Sequence, residues 1–173
     1  MPERPCNVGG MLVRPAELSD AEAIAAIYNL EVTESTATFD LVPRTLEQQR
    51  TWQVERSGAH AVLVAVDDDG TLVGFASLSP FRTRPAYSTT VENSVYVHRE
   101  HRRRGIALLL MTALIETARS HGFHSMIARI ADAQPPSLQL HESVGFELVG
   151  VEREVGRKFN RWLDVAVMQL LLR

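Results

Sequence analysis

The stretch Val95-Tyr-Val-His-Arg-Glu-His-Arg102-Arg103-Arg104-Gly105-Ile106-Ala107 has the richest chemical content in the sequence. A β-branched run ends, a basic turn follows, and a helix opens at a small-residue step. The first amides of a helix lack intrahelical partners, and the helix dipole adds partial positive charge, so such a terminus suits an anion. Gly105 permits close approach, and the arginines add charge beside it. The ligand this combination favours is a pyrophosphate. Other reactive types are sparse. The six histidines (60, 98, 101, 121, 124 and 141) form no HExxH pattern, and His98-Arg-Glu-His101 has the wrong order for that zinc signature, so no metal is expected. Cys6, the single cysteine, can form no internal disulfide, which fits a reducing, cytoplasmic compartment.

The elements that position the turn follow from periodicity. Met11 to Arg14 reads as a strand stopped by Pro15, and Ser19-Asp-Ala-Glu22 has capping-box spacing that opens a helix to about Leu30, with Ala23, Ile24, Ile27 and Leu30 on its apolar face. Thr45-Leu-Glu-Gln48 repeats that signal for a second helix ending near Ser57-Gly58, and Glu34 to Asp40 between them reads as a loop. Ala61 to Val66 and Leu72 to Leu78 flank the hairpin signal Asp67-Asp-Asp-Gly70. Ser79 to Thr89 is a loop and Thr90 to Val97 a strand. A helix is expected over about Arg104 to His121, a strand over Met126 to Ile130, a helix from Pro135-Pro136 to Val144, and strands over Phe146 to Val155 and Asp164 to Leu172. The order is β-α-α-β-β-β-α-β-α-β-β, an α/β (α+β) fold with a central sheet flanked by helices.

The chain has 173 residues, 45% hydrophobic and 23% charged, which fits one globular domain over 11–173 behind a flexible leader at 1–10. Its 18 basic and 21 acidic residues leave a net charge of −3. No global positive field recruits nucleic acid, and no apolar run approaches the length of a membrane span.

Arg102-Arg-Arg-Gly105-Ile-Ala107, the strand before it, the helix after it and Leu140-His-Glu-Ser-Val-Gly-Phe146 downstream resemble the GCN5-related N-acetyltransferase (GNAT) superfamily. Ser35-Thr-Ala-Thr-Phe39, Arg84-Pro-Ala-Tyr87, Val91-Glu-Asn-Ser-Val-Tyr-Val97 and Glu154 to Asp164 look like its phosphinothricin and methionine sulfoximine acetyltransferases. The resemblance implies a mixed, mostly antiparallel sheet, acetyl-CoA as co-substrate and a small amino-acid-like acceptor. It assigns proton acceptance to Glu92 and places His141, where many relatives have tyrosine, as acid or second member of the base relay. It maps the oxyanion donor to the N–H of Val95, Tyr96 or Val97, and cofactor contacts to Arg103, Arg104, Gly105, Ile106, Ala107, Leu108, Gln134 and Ser143. Arg82 and Arg84 would grip the acceptor carboxylate, with Phe39, Thr83, Tyr87, Asn93 and Ser94 around it. Gln134-Pro-Pro-Ser137 departs from the family's Asn-x-x-Ser, which puts the contact to the pantetheine arm in doubt. Relatives are commonly dimers, so a homodimer is expected. Rival readings are an acetyltransferase for another small amine or a peptide N-terminus, and a non-catalytic CoA-binding module.

Overall fold

The computed structural model describes residues 6–8, 10–56 and 58–173. Two strands, β1 (Cys6–Val8) and β2 (Met11–Pro15), form a hairpin in which Val8 pairs with Met11. Cys6–Val8 fall within the leader expected over 1–10; Gly10 lies at φ 82°, where a glycine pays no Cβ penalty, and the chain folds back there. Residues 1–5 of that leader lie outside the described residues.

Helices α1 (Ala21–Glu34) and α2 (Leu46–Glu55) follow. α1 runs past Leu30, and its inner face carries Ile24, Ile27, Tyr28, Glu31 and Val32. The expected capping box at Ser19 and Glu22 is replaced by Asp20, whose carboxylate accepts the Glu17 N–H at 2.7 Å and both Arg14 guanidinium nitrogens at 2.7 and 2.9 Å. At α2 the expected box forms: Thr45 N–H donates to Gln48 Oε1 and Gln48 N–H to Thr45 Oγ1. α2 ends at Glu55, and Ser57, the expected stop, is outside the described residues.

The remaining elements are β3 (Val62–Val66), β4 (Leu72–Pro80), β5 (Thr90–Val97), α3 (Ile106–Ser120), β6 (Ser125–Ala131), α4 (Pro135–Ser143), β7 (Glu147–Lys158) and β8 (Arg161–Leu171). The eight strands make one sheet in the order β1-β2-β3-β4-β5-β6-β8-β7, antiparallel except where β5 pairs with β6. β7 and β8 are longer than expected because Phe159 and Asn160, both at positive φ, close a two-residue hairpin at their tip. Period-two alternation sends Val62, Val64 and Phe75 toward α1, where they meet Ile24, Ile27 and Tyr28. Leu63, Ala65, Ala76 and Val91 face the other way, onto Leu110, Met111 and Leu114 of α3. β8 is an interior strand, so Leu170 and Leu172 are buried. No helix among the described residues is long and apolar enough to cross a membrane.

One irregularity of the sheet matters for function. β5 and β6 are paired over Thr90, Val91 and Glu92 only, after which β5 stays with β4 while β6 stays with β8. A gap therefore opens inside the sheet next to Glu92.

Candidate active site

Strand alternation decides what faces this gap. The His98 N–H donates to the Val73 carbonyl of β4, and the Thr89 carbonyl accepts from His124 and Ser125 on the β6 side. Even-numbered backbone groups of β5 therefore point to β4, and the amides of Val95 and Val97 point toward the gap. The expectation that Tyr96 shares the oxyanion role is corrected on this ground, since Tyr96 is register-paired with Phe75 and its amide faces β4. The Tyr96 ring packs between Tyr28 and Phe75, with centroids 5.2 Å from each.

Beyond the gap lies the basic turn. Arg103 (φ 61°) and Gly105 (φ 77°) both take left-handed backbone, and Gly105 precedes the first turn of α3. The first intrahelical bond is Leu109 N–H to the Gly105 carbonyl, so the amides of 105–108 lack intrahelical acceptors. A Cβ built at Gly105 would meet nothing within 4 Å, so the approach to those amides is open. Ile106 is buried, leaving only its amide for a ligand, whereas Arg103, Arg104 and Leu108 are exposed and Ala107 is half-buried. Free amides, an open face and two exposed arginines fit a pyrophosphate such as that of CoA.

Glu92 is half-buried on the sheet face opposite Asn93. Burial lifts its carboxyl above the ordinary carboxylate range, the positive charge of Arg129 opposing and the negative charge of Glu152 reinforcing. Arg129 and Glu152 form a two-pronged pair at 3.0 and 2.5 Å. Arg82 stands near enough to help hold Glu152 ionised, and its guanidinium lies 4.9 Å from the Phe81 ring and 5.7 Å from that of Tyr87. Arg82 thus shares an electrostatic neighbourhood with Glu92. Arg84 is exposed and makes no ion pair among the described residues; Thr83 is exposed too, and Ser94 is half-buried.

His141 and Asn93 meet on the other face. His141 Nδ1 lies 2.7 Å from the Ser137 carbonyl, which only accepts, so Nδ1 carries the proton and Nε2 accepts the Asn93 amide at 2.9 Å. Burial lowers the pKa of His141, the Ser137 bond opposing, and its ring packs edge-on against Phe146 at 5.0 Å. The Gln134 amide donates to Thr36 Oγ1 at 3.1 Å, and Ser143 Oγ donates to the Leu140 carbonyl at 2.7 Å. Both residues expected at the cofactor therefore already have protein partners.

Phe39 lies in the loop after α1, and its ring covers Gly156 of β7, where a Cβ would collide with the ring. Tyr28 Oη donates to Asp40 Oδ2 at 2.6 Å and also bonds Thr38 Oγ1 at 2.9 Å, and burial with the Asp40 contact pushes its phenol up to about 12. Lys158, which the sequence marks only as part of the family-like stretch Glu154 to Asp164 and gives no role, is 3% exposed and donates from Nζ to the Thr38 carbonyl at 2.8 Å. Burial lowers its pKa, with the charges of Asp40 and Glu31 opposing. Sequence reasoning missed Glu31, Arg129 and Glu152. A pattern of charged residues on a helix or strand reads as a solvated face, and nothing in the sequence marked these as paired. Among the described residues no cluster of three or more His, Cys, Asp or Glu is placed to hold a metal ion.

A splayed sheet beside an open helix N-terminus, with a half-buried carboxylate at the fork, defines an acyl-CoA-dependent transferase. Residues 13–167 match the acetyltransferase (GNAT) domain family, and the chain belongs to that family as an N-acetyltransferase. It is 40% identical over 161 residues to an L-methionine sulfoximine/L-methionine sulfone acetyltransferase of Pseudomonas aeruginosa, covering 92% of this chain and 94% of that one. It is also 40% identical over 157 residues to a phosphinothricin N-acetyltransferase of Streptomyces coelicolor, covering 89% and 92%. A phosphinothricin acetyltransferase of Sinorhizobium meliloti solved in complex with acetyl-CoA superposes with a TM-score of 0.91 at 36% identity, covering 94% of this chain and 88% of that one.

Proposed function

We propose that the chain transfers the acetyl group of acetyl-CoA to the α-amino group of a small amino-acid-like acceptor of the methionine sulfoximine, methionine sulfone or phosphinothricin type. The observation that carries the reading is Glu92, a half-buried carboxylate at the fork of β5 and β6 with raised proton affinity. The relatives named above support the acceptor class.

Acetyl-CoA supplies an acyl carbonyl open to attack and a thiolate that can leave. The amides of 105–108, with Arg103 and Arg104, are the groups that would hold its pyrophosphate. An α-amino group is mostly protonated at neutral pH, so the attacking nitrogen must first lose a proton. Glu92 accepts it, directly or through water, and the elevation of its pKa toward the working pH makes it a better base than a solvated carboxylate. The N–H groups of Val95 and Val97 donate toward the charge that develops on the acyl oxygen. His141 is a positioning residue in this scheme. Its Nδ1 proton is committed to Ser137, its Nε2 holds Asn93, and burial disfavours the imidazolium that a general acid would require.

Arg82, whose charge reaches Glu152 beside Glu92, is the cation for the acceptor carboxylate, while Phe39 and Tyr87 form apolar walls. Loss of a charge-assisted contact costs on the order of 1.5–3 kcal/mol, roughly ten- to a hundredfold in kcat/KM. An amino acid should therefore be acetylated at least tenfold better than its decarboxylated amine, and Arg82→Lys should restore the preference only in part. Equal rates for acid and amine would remove the amino-acid reading in favour of a general amine acetyltransferase.

The same reading places the enzyme in the cytoplasm as a homodimer. The edge strand β7 and the hairpin tip expose Leu148, Val149, Val151, Val155, Phe159 and Trp162, apolar surface at the sheet edge that a second copy would cover. Light scattering that returns a monomer at assay concentration rejects the dimer.

A further inference from the structure

Glu31 is a carboxylate in the last turn of α1, 4% exposed, outside every role assigned so far. Its two oxygens serve different sites. Oε1 accepts Arg99 Nε at 2.9 Å and an Arg102 guanidinium nitrogen at 2.8 Å. Oε2 accepts the Ser35 hydroxyl at 2.6 Å. Its main-chain carbonyl accepts the Ser35 N–H at 3.2 Å and Lys158 Nζ at 3.4 Å. Desolvation pushes this carboxyl upward, but the Ser35 hydroxyl and the two guanidinium groups outweigh it, so Glu31 is held ionised below its usual range.

The partners lie at the roots of both candidate substrate sites. Arg102 immediately precedes Arg103 and Gly105, the two left-handed residues that set the open amides, and its Nε also reaches the Val97 carbonyl at 3.4 Å. Ser35 starts the loop that ends in Phe39; its hydroxyl oxygen also accepts the Ala37 N–H at 3.1 Å, and the next residue, Thr36, bonds Asp132 and Gln134. Guanidinium groups need an anion, and the Ser35 hydroxyl takes the carboxylate oxygen at 2.6 Å as its nearer acceptor, the Glu31 main-chain carbonyl standing at 3.2 Å. Only a carboxylate meets both with two oxygens at once.

We propose that Glu31 is a positioning residue shared by the two substrate sites, fixing the acetyl-CoA turn with one oxygen and the acceptor loop with the other. The proposal rests on the acceptor reading above. An amide in its place keeps the shape but loses the charge and one acceptor oxygen, so both sites loosen together.

Steady-state kinetics in both substrates test this on Glu31→Gln, Ser35→Ala and Arg102→Gln. Glu31→Gln should raise KM for acetyl-CoA and for the acceptor, each by roughly three- to thirtyfold, the scale of a partly screened charged contact. Ser35→Ala should raise only the acceptor KM, and Arg102→Gln, which cuts the link to the turn, only that for acetyl-CoA. The acidic limb of the pH profile should not move in any of them, because Glu92 is untouched. A Glu31→Gln enzyme with one KM or neither changed overturns the proposal. So does a series in which all three variants raise both constants alike, the mark of general loosening. Should Glu31→Gln not fold, Glu31→Asp decides: a shortened carboxylate that keeps the charge but reaches neither partner set fully should raise both KM values, and a change in one or neither refutes the shared role. If the wild-type protein acetylates no amino-acid analogue, the acceptor reading fails. Calorimetry with CoA then reads the other half, where unchanged affinity in Glu31→Gln refutes this proposal as well.

Discussion

Removing the positive charge beside the proposed base should move its titration in a direction that the geometry dictates. Arg129 lowers the pKa of Glu92 while Glu152 raises it, and the two are paired to each other. Arg129→Gln deletes the favourable charge and leaves Glu152 as an uncompensated anion, so the Glu92 pKa rises. Glu152→Gln does the reverse, leaving an unpaired guanidinium and lowering it. Glu92 pairs with Ile127, and Arg129 lies two residues along β6 where the strands part, so a separation of roughly 8 Å follows from the strand spacing and rise. At an effective dielectric near 20, unit charges at roughly that distance interact by about 2 kcal/mol. Solvent reaches Arg129 and Glu152, whose side chains are 30% and 39% exposed. Screening should cut the effect to about 1 kcal/mol, or roughly 0.7 of a pKa unit. The assay is kcat/KM for the free-amine form of the acceptor against pH. Activity requires ionised Glu92, so the acidic limb should move to higher pH in Arg129→Gln and to lower pH in Glu152→Gln. A limb that stays fixed in both, or shifts the same way in both, refutes Glu92 as the titrating base.

Other outcomes follow from single contacts. Gly105→Asp should weaken CoA binding in calorimetry far more than Arg103→Ala, because it strains a backbone at φ 77° and sets a negative charge beside the amides. Lys158→Met should raise the acceptor KM while leaving that for acetyl-CoA alone, since the lysine pins the Thr38 carbonyl beside Phe39. His141→Ala opens a cavity and leaves Asn93, whose Oδ1 already lacks a protein partner, with only the weak Met111 sulfur at 3.5 Å as a side-chain acceptor for its amide. Its cost should be about 2–4 kcal/mol, read as a fall in Tm or in the denaturation midpoint.

The parts of the fold governed by local rules could be read in advance. Thr45 and Gln48 cap α2 reciprocally because their spacing alone brings them together. Thr90 to Val97 and the basic turn before α3 are likewise set by β-branching and by glycine at a left-handed position. What stayed hidden depends on distant pairing. Glu31 and Tyr28 occupy the inner face of α1, yet a carboxylate and a phenol read as solvent-facing, so the apolar face was centred on Ala23 to Leu30. Their partners stand far along the chain, at Arg99 and Arg102 for Glu31. The Phe159-Asn160 hairpin carries no glycine, so the strands on either side seemed to end early. Arg82 and Arg84 are equivalent as loop arginines, and only the placement of Glu152 beside Arg82 separates them.

The central claim is acetyl transfer to the α-amino group of an amino-acid analogue. It is tested most directly by following thiol release from acetyl-CoA with methionine sulfoximine, methionine sulfone and phosphinothricin, with mass spectrometry locating the acetyl group. The account predicts acceptor-dependent thiol release, acetylation of the α-nitrogen, and a fall of roughly a hundredfold or more in turnover for Glu92→Gln without loss of CoA affinity. Thiol release that is independent of every amino-acid acceptor, or undiminished in Glu92→Gln, would contradict it.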